Sequence, residues 1–406
     1  MVGERGLSVS TDDPLVLNPT AEAWLEIRAR VRGESGLRRL RAQIGKTLLP
    51  AQVRLLMEVL FSSEVPTLAH EELSVLRGLG VLVTSDELPA DERFLCPLDT
   101  SRAELVPYLA ALRAAPELEA ARYRLAPRVY LQTGHTLPAE LEGRCLHMER
   151  FAMQRPILWV EDEHTGIPAP FWPGGAVAEV LDGVLEGRTA AAALPDAVFR
   201  RLAHAGVLVD PAVQAARATS WRQALIDAKV QLERDEYVVL TKLLQPLQLH
   251  GLRRYFRHLR DHGSLVVGDG QVDLRSVVHN EPVARFLHLP IAALLDRIVP
   301  EPIKPSYCIV GMYDPGSVLR KHVDREQCAW NVSLAIDADP ETEVANAWPL
   351  HIEARGHTHE IRLGMGDAVL YRGTRNPHWR NALRDGQRDI VCFFHFVPAD
   401  YEGGLG

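Results

Sequence analysis

The sequence predicts an α+β protein, with a mainly helical amino-terminal region ahead of an antiparallel double-stranded barrel. Three observations carry this. Apolar residues recur at helical spacing through much of residues 19–215, with glycines at the stops. Two amphipathic stretches, WRQALIDAKVQLERDEYVVL and LLQPLQLHGLRRYFRHLRDHG, follow from Trp221. From Tyr307 onward the texture changes to short β-segments between Gly-containing turns. Helices followed by strands in this order indicate α+β architecture, with the strands closing into a barrel.

Bulk composition sets the outer bounds. A chain of 406 residues exceeds one ordinary core and predicts two or three domains. Apolar residues at 47% and charged residues at 24% are ordinary for a globular protein. The net charge of −8 argues against a nucleic-acid surface spread over the whole chain. Cys96, Cys145, Cys308, Cys328 and Cys392 are odd in number and contain no Cys-x-x-Cys, so neither a disulfide framework nor a structural zinc site is expected. The first residues carry no apolar run of secretory type, and no stretch reaches bilayer-spanning length. The expectation is a cytoplasmic enzyme without a membrane partner.

Residues 1–18 read as a polar arm. Thr20 reads as an N-cap, and AEAWLEIRARVRG after it as a helix; Arg28 to Lys46 form a basic, solvated helix face. From Leu48 to Val83 the pattern is helix, helix, short strand, and it recurs from Gly174 to Val209. Both copies end Leu-x-x-x-Gly-Val-Leu-Val, at Leu76 to Val83 and Leu202 to Val209. The unit resembles a small winged-helix module, as in some peptide-recognition modules, and an internal duplication is expected. Between the copies, DTSRAELVPYLAALRAA reads as a capped helix, and RVYLQTG and RPILWVEDE as strands. A domain boundary is placed between Pro211 and Trp221, giving a recognition region at 19–215 and a second domain at 220–406. Within the latter, Tyr237 to Leu240 reads as a strand and IAALLDRIVP as a helix, followed by the strands YCIVGMY, AWNVSLAI, LHIEAR, HEIRL, AVLYRG and IVCFFHFV.

The chemistry concentrates between Lys321 and Arg388. His322 and Asp324, two residues apart, share one side of a strand. With His378 they would give two imidazoles and one carboxylate, a set suited to ferrous iron with three positions left open. His357 and His359 repeat the spacing beside Gly356 but lack a matching carboxylate, so they read as a hairpin tip. His395, inside FFHFV, reads as structural. On AWNVSLAI, Asn331 and Ser333 share one face and Trp330 and Val332 the other, and the sequence does not say which faces inward.

His322-x-Asp324, GDAVLYRG, the PHWRN around His378, and Arg388 ten positions beyond it resemble the Fe(II)- and 2-oxoglutarate-dependent dioxygenases, in the prolyl-4-hydroxylase-like branch. The resemblance covers about the last 170 residues and implies a double-stranded β-helix of jelly-roll, cupin-like form. It implies Fe(II) on His322, Asp324 and His378, with 2-oxoglutarate and O2 on the open face, and hydroxylation of a C–H bond with release of succinate and CO2. Because Asp324 is present, hydroxylation rather than halogenation is implied. Arg388 would pair with the far carboxylate of 2-oxoglutarate, with Arg380 and Arg384 as competitors. Tyr313 would line the co-substrate pocket. The substrate is left as a peptide, an amino acid or a natural-product intermediate. Two alternatives stand beside this reading: a winged-helix partner- or nucleic-acid-binding protein with a catalytically silent barrel, and a cupin-type metal enzyme that uses no 2-oxoglutarate.

Overall fold

The computed structural model describes residues 118–405 except 134–136, 148–150, 152–155, 174–175, 262–265 and 269. Before residue 118 it describes positions 71 and 74 and four strands: β1 (Leu15–Leu17), β2 (Glu26–Arg30), β3 (Leu37–Arg41) and β4 (Leu82–Thr84).

In the amino-terminal region, β2 and β3 form an antiparallel hairpin that pairs Glu26 with Arg41 and Arg30 with Leu37. This corrects the helix expected after Thr20. Ile27 and Ala29 alternate with Arg28 and Arg30, so a period of two prevails over helix propensity. Strand β1 pairs antiparallel with β4. The expected helices of the first copy and DTSRAELVPYLAALRAA lie outside the described residues, positions 71 and 74 apart.

The second copy shows the expected order of helix, helix and short strand. Strand β5 (Arg124–Leu125) is followed by the sheet β6 (Val129–Gln132), β7 (Ile157–Glu161) and β8 (Pro168–Phe171). Helices α1 (Ala176–Leu185) and α2 (Asp196–His204) lead to β9 (Leu208–Val209), which returns to pair with β5. In both cases a strand that precedes the copy pairs antiparallel with the strand that closes it. The region is not simply helical, since β7 is buried along its whole length. Leu158 and Val160 pack with α1 and α2, while Ile157 and Trp159 join the same core as the barrel residues Val332 and Phe394. At the end of β7, Glu161 is buried and takes two hydrogen bonds from Arg144 and one from Arg128.

Residues 211–221, where the boundary was placed, run unbroken through helix α3 (Pro211–Asp235). Asp210 caps it by accepting from the Ala212 amide at 2.9 Å, with Pro211 at the first turn. Next come β10 (Tyr237–Leu240), α4 (Pro246–Asp261), β11 (Val266–Val267), β12 (Arg275–His279) and α5 (Pro282–Leu295). The strands that follow are β13 (Ile303–Tyr313), β14 (Leu319–His322), β15 (Trp330–Asp339), β16 (Leu350–Ala354), β17 (His357–Ile361), β18 (Ala368–Tyr371), β19 (His378–Arg380) and β20 (Arg388–Pro398).

These strands form two antiparallel sheets, a seven-stranded one in the order β10-β18-β15-β20-β13-β12-β11 and a four-stranded one in the order β14-β19-β16-β17. Leu350, Ile352 and Ile361 of the small sheet pack on Val369 and Tyr371 of the large one, so the sheets face each other as a double-stranded barrel. On the outer side of the large sheet, Val332, Leu334, Cys392, Phe394 and Phe396 pack with α5 residues Phe286, Leu287 and Ile291. This settles the parity of AWNVSLAI: Trp330 and Val332 face the helices, and Asn331 faces the barrel interior. Among the described residues no helix is long and apolar enough to cross a membrane.

Candidate metal centre

The site lies where the small sheet meets the mouth of the barrel. His322 ends β14 and His378 begins β19, and the two are direct cross-strand partners with ring centroids 4.3 Å apart. Asp324 follows two residues after His322, where its amide donates to the Gly373 carbonyl at 2.9 Å. Gly373 is required there, because a Cβ would lie 2.5 Å from the Cys328 carbonyl oxygen and 2.6 Å from Asp324 Oδ2.

Each candidate ligand is aimed. His322 Nδ1 lies 2.8 Å from the Arg320 carbonyl, and His378 Nδ1 lies 3.0 Å from the Asn376 carbonyl. A carbonyl only accepts, so both Nδ1 atoms carry hydrogen and both Nε2 lone pairs are left to bind. His322 Nε2 stands 3.3 Å from Asp324 Oδ1, and His378 Nε2 stands 3.6 Å from Asp324 Oδ2. One donor atom from each of the three residues lies within 4.8 Å of the others. Two imidazole nitrogens and a carboxylate oxygen gathered this closely fit a ferrous ion, the donor chemistry that the spacing predicted.

The electrostatics agree with such a cluster. Burial raises the Asp324 carboxyl, but the hydrogen bond it accepts from His322 when that ring is protonated and the electrostatic pull of the neighbouring imidazoles outweigh it and hold it below its ordinary value. Burial works against the charged form of His322 too, yet its bonds to Asp324 and the Arg320 carbonyl leave it raised. Burial dominates at His378 and keeps that imidazole low.

A second layer holds the carboxylate. Asn331 Nδ2 donates to Asp324 Oδ2, and Asn331 Oδ1 accepts from His395 Nδ1. Since the Asn331 amide group points at a carboxylate, its carbonyl must face His395, which fixes the His395 tautomer. Burial pushes His395 down to about 3, so it is neutral. The expectation that His395 is merely structural is thus corrected: it lines the cavity and reaches Asp324 through Asn331. Asn331 lies 64 residues away from His395, a pairing no local pattern reveals.

The ligands open onto a cavity of about 410 Å³. Val277, Leu319, Leu350 and Phe393 give it apolar walls; Arg275, His279, Tyr307, Arg325, Asn331, Tyr371 and His395 supply polar ones. Tyr307 stacks on His279 at 5.1 Å and carries the Arg325 guanidinium 4.5 Å above its ring.

Other expected positions fall elsewhere. Arg388 does not reach the cavity; its side chain is 51% exposed and pairs with Asp314 at 3.1 Å. Tyr313 is buried on the inner face of β13 but is not among the cavity-lining residues; its hydroxyl accepts from Arg275 Nη1 at 2.9 Å. Arg380 is buried inside the barrel but donates to the Trp348 carbonyl at 2.7 Å and stacks on that indole. Arg384 is exposed on the loop. His357 is exposed beside the Arg355-Gly356 turn of the β16–β17 hairpin, as expected, and His359 contacts Tyr237.

No protein-family model matches the chain, and no curated protein matches it. Among solved structures it is similar to a prolyl-4-hydroxylase of Pseudomonas putida, at 14% identity and TM-score 0.36 over 43% of this chain and 98% of that one. It is similar to the non-haem α-ketoglutarate-dependent epimerase SnoN from nogalamycin biosynthesis, at 15% identity and TM-score 0.38 over 44% and 82%. HygX from Streptomyces hygroscopicus, with nickel and 2-oxoglutarate bound, is similar at 10% identity and TM-score 0.35 over 43% and 87%. Likenesses this distant do not decide the reaction.

Proposed function

We propose that this protein is an Fe(II)- and 2-oxoglutarate-dependent dioxygenase that hydroxylates an unactivated C–H bond of a peptide, amino acid or natural product. The observation that carries the reading is the convergence of His322 Nε2, Asp324 and His378 Nε2 on one face at the edge of a cavity. Bound there, iron would supply the activation of O2 that oxidative decarboxylation of 2-oxoglutarate requires.

The chain's own residues do the rest. The Arg320 and Asn376 carbonyls fix the two imidazole tautomers, and Asn331 with His395 fixes the carboxylate. Val277, Leu319, Leu350 and Phe393 keep much of the wall apolar, which limits water beside the reacting atoms. Asp324 occupies the position that a halide would need, and this favours hydroxylation over halogenation. The cavity's aromatic and imidazole wall of Tyr307, His279 and His395 is the side against which a substrate would lie.

Iron-dependent formation of succinate from 2-oxoglutarate, lost in His378→Ala, is the expected result. Iron binding with no succinate under any substrate screened would instead support a metal enzyme of cupin type. The observation that favours this second reading is the exposed position of Arg388.

A further inference from the structure

A dicarboxylate that chelates the metal through one end carries its second carboxylate into the cavity wall, where a fixed cation must meet it. Arg388 is the residue that the sequence resemblance selects, but strand parity turns it away. On β20, Phe393 and His395 line the cavity, while Ile390, Cys392, Phe394 and Phe396 belong to the core on the other side. Arg388 shares the even-numbered side, and Asp389 takes the inward one. Asp389 is buried and the Arg380 charge acts on it, so Arg380, as buried as Arg275, already has a carboxylate nearby and gives its Nη1 to the Trp348 carbonyl.

Two arginines line the cavity, Arg275 and Arg325. Arg325 directly follows Asp324 and is exposed. Arg275 is only 4% exposed and lies on β12, directly across from Tyr313 of β13. Its Nη1 donates to the Tyr313 hydroxyl at 2.9 Å and its Nη2 to Gln271 Oε1 at 2.9 Å, which orients the planar guanidinium. Its charge also acts on His322. A low-dielectric wall position strengthens a carboxylate contact beyond what an exposed arginine offers.

We propose that Arg275, oriented by Tyr313 and Gln271, receives the distal carboxylate of 2-oxoglutarate, and that Arg388 takes no part. This rests on the dioxygenase reading above. The role of Tyr313 then becomes one of positioning, from the neighbouring strand.

The test is anaerobic calorimetry of 2-oxoglutarate and of 2-oxobutyrate, which lacks the second carboxylate, binding to Fe(II)-loaded protein. The wild type prefers 2-oxoglutarate by roughly 30–100-fold, the worth of one charge-assisted bidentate contact. In Arg275→Gln that preference collapses while iron and 2-oxobutyrate still bind, and in Arg388→Ala it is kept. Arg275→Lys, which retains charge without the fork, falls between and serves if the glutamine variant does not fold. A preference retained in both Arg275 variants, or lost in Arg388→Ala, overturns the assignment. Failure of the wild type to bind 2-oxoglutarate at all removes the dioxygenase reading itself.

Discussion

Asp389→Asn is expected to stabilise the protein at neutral pH. Asp389 faces the barrel interior near Arg380, and burial raises its carboxyl to about 6 from an ordinary 3.8 despite the Arg380 charge and the Gln387 hydrogen bond. Because the folded-state value is the higher one, the unfolded chain gives up its proton first as pH rises. Stability therefore falls with rising pH from about 4 to about 6 and levels off above. A shift of about two units corresponds to about 3 kcal/mol. About 1 kcal/mol of this is already lost at pH 4.5, so the wild type falls by a further 2 kcal/mol or so by pH 7.5. The asparagine variant lacks this dependence while keeping a similar volume. Urea unfolding of both proteins at pH 4.5 and 7.5, followed by tryptophan fluorescence, measures the difference directly. A variant whose advantage does not grow by about 2 kcal/mol across that interval, or one less stable at pH 7.5, would refute the reasoning; in the latter case the Arg380–Asp389 attraction outweighs the burial cost.

Three further outcomes follow from the same contacts. Asn331→Ala removes the donor that holds Asp324 and should weaken iron binding by about 10–100-fold, read by metal titration. Gly373→Ala drives a methyl group into the Asp324 carboxylate and the Cys328 carbonyl, and should cut iron affinity by at least about tenfold while circular dichroism keeps the β signal. Glu161→Gln breaks the buried contact with Arg128 and Arg144; since these arginines are 47% and 43% exposed and can recover water, the cost should be about 2 kcal/mol rather than the 3–5 kcal/mol of a fully buried pair, seen as a lower urea midpoint.

The cluster of His322, Asp324 and His378 was legible because its information is local. Two residues on one strand share a side, and PHWRN carries the second histidine on a strand that pairs with the first. The strands of the second half and the helix–helix–strand unit ending at Val209 were legible for a similar reason: their periodicity is long enough to be unambiguous. The β2–β3 hairpin was misread because five residues, EIRAR or LRRLR, are too few to separate a strand period from a helical one. Arg388 failed for a sharper reason. Spacing counted through the 381–387 loop reaches the right strand but does not fix its parity, and a slip of one residue reverses the side. Arg275 had no signal of its own, since nothing in the sequence joins β12 to the metal strands. The Asp324–Asn331–His395 chain was equally hidden, because it crosses between strands that only the fold brings together.

The most direct measurement is an anaerobic titration of Fe(II) into the metal-free protein, followed by 2-oxoglutarate, with visible absorption recorded throughout. The account predicts one iron per chain and a charge-transfer band that needs both iron and 2-oxoglutarate, abolished in His322→Ala. Absence of the band in the wild type, or its persistence in His322→Ala, would contradict a metal centre built on His322, Asp324 and His378.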